Sequence, residues 1–316
     1  MGRAARRGAV FVLIGAALYL LVYGLAESLG APHGARNRFR VVRAAAPHYD
    51  FVLLGASHML PLGFEDMSDR LGAMVGGTVI NLAVPGGGIV PNRLMLQYFL
   101  QGHSAGMVVY GVDSFAFYAP EWNEARLHDV RLWRRAPHDA ALVRVLWGAA
   151  RDFNLDRSVF WNYLTGFAKV NNPLAWFEPD PWADDARFDQ VFRGPAYRYQ
   201  QRIRYLYPGD PDETHFRRYL KLFLAMIDDL HARGIAVLVF KPPLPSAFSG
   251  LIPHEERFNE VLATALQERG VPMYDFTDAM PSPEWYFDTD HLNRAGVLHF
   301  FENHLRPVLV QHHLLR

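Results

Sequence analysis

The chain has 316 residues, with 32 lysines and arginines balanced by 32 aspartates and glutamates, and no cysteine. A net charge of zero offers no basic face for neutralising phosphates, so no nucleic-acid partner is expected. The absence of cysteine excludes disulfides, thiolate metal sites and cysteine nucleophiles, and it suits an exported protein that does without disulfides.

The first residues, Met1 to Arg7, carry three arginines, and an uncharged, apolar stretch follows from Gly8 to Leu25, with Glu27 the next charge. That length matches a bilayer span better than the shorter core of a secretory signal. We therefore expect an N-terminal membrane anchor over residues 1–30, with a cleaved signal peptide as the alternative. Arginines on its amino side should stay cytoplasmic, which places the rest of the chain on the extracytoplasmic, periplasmic side. Residues 31–47 hold Gly, Pro and arginines without periodicity and read as a linker.

One domain, 48–316, is expected beyond it. Tyr49–Leu54, Thr78–Ala83 and Gly106–Val112 are continuous apolar runs, the pattern of strands covered on both faces. Pro91–Leu100 is apolar on a helical period, with proline in its first turn. The carboxy-terminal third resumes the alternation. A helix is expected over Glu213–Arg233, a strand over Ile235–Phe240, a helix over Glu255–Arg269, a short strand over Pro272–Asp275 and a last helix over Asn293–Leu309. Strand and helix in alternation predict an α/β fold around a parallel sheet. Between the halves, residues 118–212 break the pattern and are dense in Trp, Tyr, Phe and Arg, with Pro and Asp clustered over Glu178–Asp185. This reads as a mainly helical insertion packed over or beside the sheet's carboxyl edge. Its aromatic rings either form its own core or face a partner or a sugar.

Two segments carry chemistry. Gly55-Ala56-Ser57-His58 puts a hydroxyl at the end of the first strand, where open α/β sheets bind ligands. Asp288-Thr289-Asp290-His291 puts an acid three residues before a histidine, close enough to hydrogen-bond across a turn. Ser57 is the expected nucleophile, His291 its base and Asp288 the group that orients the base, with Asp290 as the alternative orienter. Backbone donors of an oxyanion hole are expected from Ser57 and from Gly86, in the loop Asn81–Gly88. His58 adjoins Ser57 and is poorly placed to be its base as well, so it is assigned a substrate-contact or structural role, with Asn81 and Gly87 as further substrate contacts. No recognised zinc spacing occurs among Asp288, Asp290, His291 and His58, and neither a metal nor a cofactor is expected.

These motifs, in this order, resemble the SGNH/GDSL hydrolase superfamily. Gly55-Ala56-Ser57 resembles its first block, Asn81 through Gly86 its second, and Asp288–His291 its last, over roughly residues 48–117 and 213–312. The resemblance implies a flavodoxin-like three-layer α/β/α sandwich and serine-dependent acyl chemistry. In the third block the family has Gly-x-Asn-Asp, and this chain has Gly111-Val112-Asp113-Ser114. Asp113 would therefore occupy the oxyanion position in place of an amide donor, and it could donate only if protonated. An amino-terminal anchor and a Gly-x-Ser-His block are similar to the membrane-anchored members that work in cell-envelope acylation, the alginate O-acetylation and D-alanyl transfer type proteins. That likeness implies ester hydrolysis or O-acyl transfer on an envelope or exported polysaccharide. The implied partners are an acyl donor or acylated polysaccharide and a membrane-bound acyltransferase. The alternative is an inactive accessory protein that binds glycan or such an acyltransferase.

Overall fold

The computed structural model describes residues 2–30, 37–152, 156–172 and 184–314. Most of the Pro/Asp cluster of the insertion and residues 31–36 of the expected linker lie outside the described residues. The chain divides into two compact units, one made of residues 1–44 and 127–183, the other of residues 45–126 and 184–316.

The larger unit is built on a parallel sheet of five strands: β1 (His48–Gly55), β2 (Val79–Asn81), β3 (Ser104–Gly111), β4 (Ala236–Lys241) and β5 (Met273–Asp275). All five expected strands are present, within two residues of the expected bounds at every end. Their order is β2-β1-β3-β4-β5, and every pair is parallel. This is the doubly wound order in which the connection reverses between β1 and β3, opening a crevice at the strands' carboxyl ends. Residues alternate between the two faces. Phe51, Leu53, Val109, Leu238 and Phe240 pack in one cluster with Met67 and Leu71 and with Val297, Phe300 and Leu305. On the other face Tyr110 meets Phe223 of the Glu213–Ala232 helix with ring centroids 4.9 Å apart. That helix starts where Asp212 accepts a hydrogen bond from the His215 N–H (2.8 Å), a side-chain cap that satisfies one of the otherwise unpaired first-turn donors.

At the crevice two glycines pair across the ladder, Gly55 with Gly111. A Cβ on Gly55 would lie 2.5 Å from the Gly111 carbonyl, and its φ of +141° is one that side chains disfavour. Glycine here lets the chain turn sharply out of β1 into the 3-10 turn Ser57–Gly63.

The smaller unit contains the amino-terminal helix α1 (Arg3–Gly30), long and apolar enough to cross a membrane, and α2 (Arg38–Ala44). α2 corrects the linker expectation for residues 38–44. Its Phe39 and Val42 are buried, and Phe39 stacks on Trp133 at 5.0 Å. Three helices, Ala140–Asp152, Arg157–Leu164 and Phe167–Val170, belong to this unit as well. The expected insertion is therefore not one body. Residues 127–183 fold with the amino-terminal helices, whereas 118–126 and 184–212 fold with the sheet.

Candidate active site

Asp288–His291 folds as a tight loop closed by a hydrogen bond from the Phe287 N–H to the His291 carbonyl (3.0 Å). Asp288 Oδ1 accepts from the backbone N–H groups of Asp290 (3.1 Å) and His291 (2.9 Å), the local side-chain-to-backbone bonding by which aspartate builds turns. Asn293 pins the next turn, accepting from the Gly296 N–H (2.8 Å) and donating to the Glu284 carbonyl (2.7 Å). The His291 ring lies nearly parallel to Phe287, 12° from it, at 5.6 Å. The loop leaves the imidazole a single orientation, with Nδ1 2.9 Å from both Asp288 oxygens.

An ionised carboxylate can only accept, so His291 Nδ1 donates to it, and in the neutral ring this leaves the lone pair on Nε2. Nε2 is buried and has no hydrogen-bond partner among the described residues. Asp288 sits below the ordinary carboxylate range. Burial opposes its ionisation, and the His291 imidazole overrides that.

His58 is held differently. Its Nδ1 lies 2.6 Å from Asp113 Oδ1 and its Nε2 2.9 Å from Asp290 Oδ2. Both carboxylates accept, so both ring nitrogens donate and the ring is an imidazolium. Burial pushes its pKa down, but the charges and hydrogen bonds of Asp113 and Asp290 outweigh it and raise the pKa to about 10. Asp290 in turn takes a hydrogen bond from Arg202 Nε (2.8 Å) and one from Thr289 Oγ1 (2.6 Å). Burial raises Asp290 as well, and Arg202, His291 and His58 together hold it well below the usual carboxylate range. Asp113, His58, Asp290 and Arg202 thus form a chain of alternating charge through the floor of the site.

The structure brings Asp288 and His291 together as expected, and it gives Asp290 to His58 and Arg202. Ser57 is partly exposed at the head of its 3-10 turn, between the buried Ala56 and His58. The His58 ring is 5.2 Å from that of His291, so the residue that follows Ser57 in the chain lies against the open imidazole.

Several expected roles need correction. Asp113 is not aimed at an oxyanion: Oδ1 is bonded to His58, and Oδ2 is buried without a partner among the described residues. The side chain of Asn81 is spent on structure, donating to the Met59 carbonyl (2.6 Å) and accepting from the Ala83 N–H (3.0 Å). Gly87 closes a turn by donating to the Val84 carbonyl (2.8 Å), with Pro85 and positive-φ Gly86 between them. Neither is available to substrate through those groups. The Gly86 N–H makes no backbone hydrogen bond among the described residues and remains a candidate donor.

Arg202 was missed in the sequence, and the signal for it is weak. From Gln190 to Tyr207 there are four arginines and no acid, so a cation there must find its partner elsewhere in the fold. The His58–Asp113 pair was legible in principle, since each residue follows a strand-ending glycine and those two glycines are neighbours in the sheet.

His58, Asp290 and His291 also bring one ligand atom each within 4.8 Å of one another, a donor set that a borderline divalent cation accepts. A cation there would have to displace the His58 proton from Asp290 and share that carboxylate with Arg202, so the observed charges favour the proton. Comparison with known proteins gives no matching family model and no matching curated sequence.

Proposed function

We propose that this chain is a membrane-anchored, serine-dependent esterase or O-acyl transferase of the SGNH type, acting outside the cytoplasmic membrane on an acylated envelope or exported polysaccharide. The observation that carries the reading is the Asp288–His291 pair, with Nδ1 held by the carboxylate and the buried Nε2 left open, beside the His58 ring that follows the partly exposed Ser57. That is the base half of a Ser-His-Asp triad.

Ser57 Oγ attacks the ester carbonyl as His291 Nε2 takes its proton. Collapse of the tetrahedral intermediate expels the alcohol, which recovers that proton, and leaves an acyl-Ser57. Water or a sugar hydroxyl, deprotonated by the same nitrogen, then takes the acyl group. The oxyanion is left to the backbone N–H groups of Ser57 and Gly86, because Asp113 is committed to His58. A strand order in which the crevice falls between β1 and β3, directly above Ser57 and Asp113, agrees with this assignment.

Retention of α1 is supported by its ion pairs. Glu27 binds Arg40 at 2.6 Å and also Lys169, whose side chain is only 5% exposed. Cleavage that removed Glu27 would take a carboxylate away from both Arg40 and the buried Lys169 ammonium. An anchor that stays therefore fits the fold better than a leader that leaves.

The test is intact-mass labelling of the full chain in detergent with a fluorophosphonate, beside Ser57→Ala and His291→Ala. A single adduct on Ser57, absent from both variants, is expected. No adduct on folded protein would sink the catalytic reading and leave an accessory role.

A further inference from the structure

The smaller unit holds more than an anchor. In α1 the run from Gly8 to Ala26 is 19 uncharged residues, about 28 Å of helix, and it matches a hydrocarbon core of about 30 Å. If that run spans the bilayer, Glu27 marks the outer boundary. The folded part of the unit grips the helix below that level. Tyr19 Oη donates to the Thr165 carbonyl (2.7 Å), and Gly166, at φ +70°, lies so close to the Tyr23 ring that a Cβ would collide with it. Tyr23 and Tyr19 lie about 6 and 12 Å along the helix from Glu27 toward the membrane interior. The turn at Thr165–Gly166 then lies inward of that boundary, at the level of the outer leaflet's acyl chains. A backbone carbonyl is tolerated there because Tyr19 satisfies it.

The side chains around that turn suit the location. Trp161 is 53% exposed and Phe167 50%, on either side of Thr165. Trp147 is 64% exposed and joins them through Phe160, whose ring lies 5.3 Å from each tryptophan. Along the Ala140–Asp152 helix, Arg144, Trp147 and Arg151 recur at helical spacing on the exposed face. Large aromatic rings flanked by arginines are the composition of the membrane–water interface, where the ring sits at headgroup level and the guanidinium reaches phosphate.

We infer that the unit formed by α1 and residues 127–183 carries a membrane-binding face, with Trp147, Trp161 and Phe167 inserted into the outer leaflet beside the anchor. The inference requires that α1 spans the membrane, and it is independent of the serine chemistry. Its consequence is positional. The chain is held to the bilayer at two places in one compact unit, the helix and the aromatic face, which restrains that unit from swivelling as it would on a flexible tether.

The chain has no cysteine, which makes single-cysteine spin labelling direct. Full-length W147C, W161C and F167C would be labelled with a nitroxide in phosphatidylcholine/phosphatidylglycerol vesicles, beside L251C, an exposed position in the sheet unit. Relaxation by oxygen and by a water-soluble nickel chelate then reads depth. A several-fold higher oxygen-to-nickel ratio at 147, 161 and 167 than at 251 is expected. Nickel access equal to that at 251 would overturn the inference. Exclusion of both reagents would overturn it too, because it would mean that protein rather than lipid covers the face. Retention of every variant in the vesicles after alkaline washing tests the anchor separately.

Discussion

The turn that follows β1 and the loop that precedes the last helices each present a histidine less than a tenth exposed, held by aspartate, and the two differ by one hydrogen bond. His58 has a carboxylate on both nitrogens, and His291 has one on Nδ1 only. The extra carboxylate decides the chemistry. A ring flanked by two acceptors keeps its second proton to about pH 10 and has no lone pair to offer, so it holds structure together. A ring flanked by one acceptor on Nδ1 has, when neutral, its lone pair on the open Nε2, where a base needs it. Proximity to the serine favours His58, and hydrogen-bond bookkeeping favours His291.

The largest expected effect follows directly. His291→Ala should slow fluorophosphonate labelling of Ser57 by about 10³-fold or more, within the range spanned by loss of a general base and loss of a triad member. A variant His58→Gln that labels no faster than His291→Ala, while still folded, would reverse the assignment. Stability should show the opposite ranking. His58→Gln strips a buried cation from two buried carboxylates, and a loss of about 3–5 kcal/mol is expected in urea titrations. His291→Gln should cost less than about 2 kcal/mol, because Asp288 keeps its two backbone hydrogen bonds.

The pH dependence of stability sharpens the contrast. The folded pKa of His58 is raised, from 6.5 to about 10, so its contribution is complete below about pH 6.5 and is lost as pH rises toward 10. Wild-type stability should therefore decline between pH 7 and 10, before the tyrosines of the unfolded chain ionise, and the decline should vanish in His58→Gln. Asp288 and Asp290 have the opposite sign. Their folded values are lowered, so their contribution is present above the ordinary carboxylate range and is lost as pH falls through it. A wild-type profile that is flat between pH 7 and 10 would mean that His58 is not locked as a cation.

How much of this was legible in the sequence depended on how local each signal was. The strands were readable because a parallel strand buried on both faces is a continuous apolar run, and Phe51-Val52-Leu53-Leu54 has no other economical use. The Asp288–His291 pair was readable because it closes within four residues. α2 was not, because seven residues with three arginines show too little periodicity to stand out, and only Phe39 and Val42 are buried. The division of the insertion was not either. Trp133 and Tyr163 pack in the smaller unit, and Trp122 and Tyr199 pack in the larger one, yet both groups come from one aromatic, arginine-rich stretch with no change of composition at residue 127. The role of Asp113 was hidden for a third reason. Read through a family pattern, it looked like a damaged oxyanion donor, and its partner His58 is next to the serine in the turn after the neighbouring strand.

Asp113→Asn is the smallest and most discriminating change. An asparagine can still accept from His58 Nδ1 through its side-chain oxygen, so the ring should stay in place, but one of the two charges that hold its proton is gone. The alkaline loss of stability should move down by about one to three pH units, the size of one close opposite charge. Labelling of Ser57 should change by less than about tenfold, the equivalent of about 1.4 kcal/mol, because residue 113 reaches the serine only through His58. An oxyanion donor is worth about 10²–10³ in rate. A gain of that size in Asp113→Asn would show that the new amide turns from His58 toward the reacting carbonyl. His58 would then be a substitute partner for a vacant donor position, and the sharp division between a structural and a catalytic histidine would no longer stand.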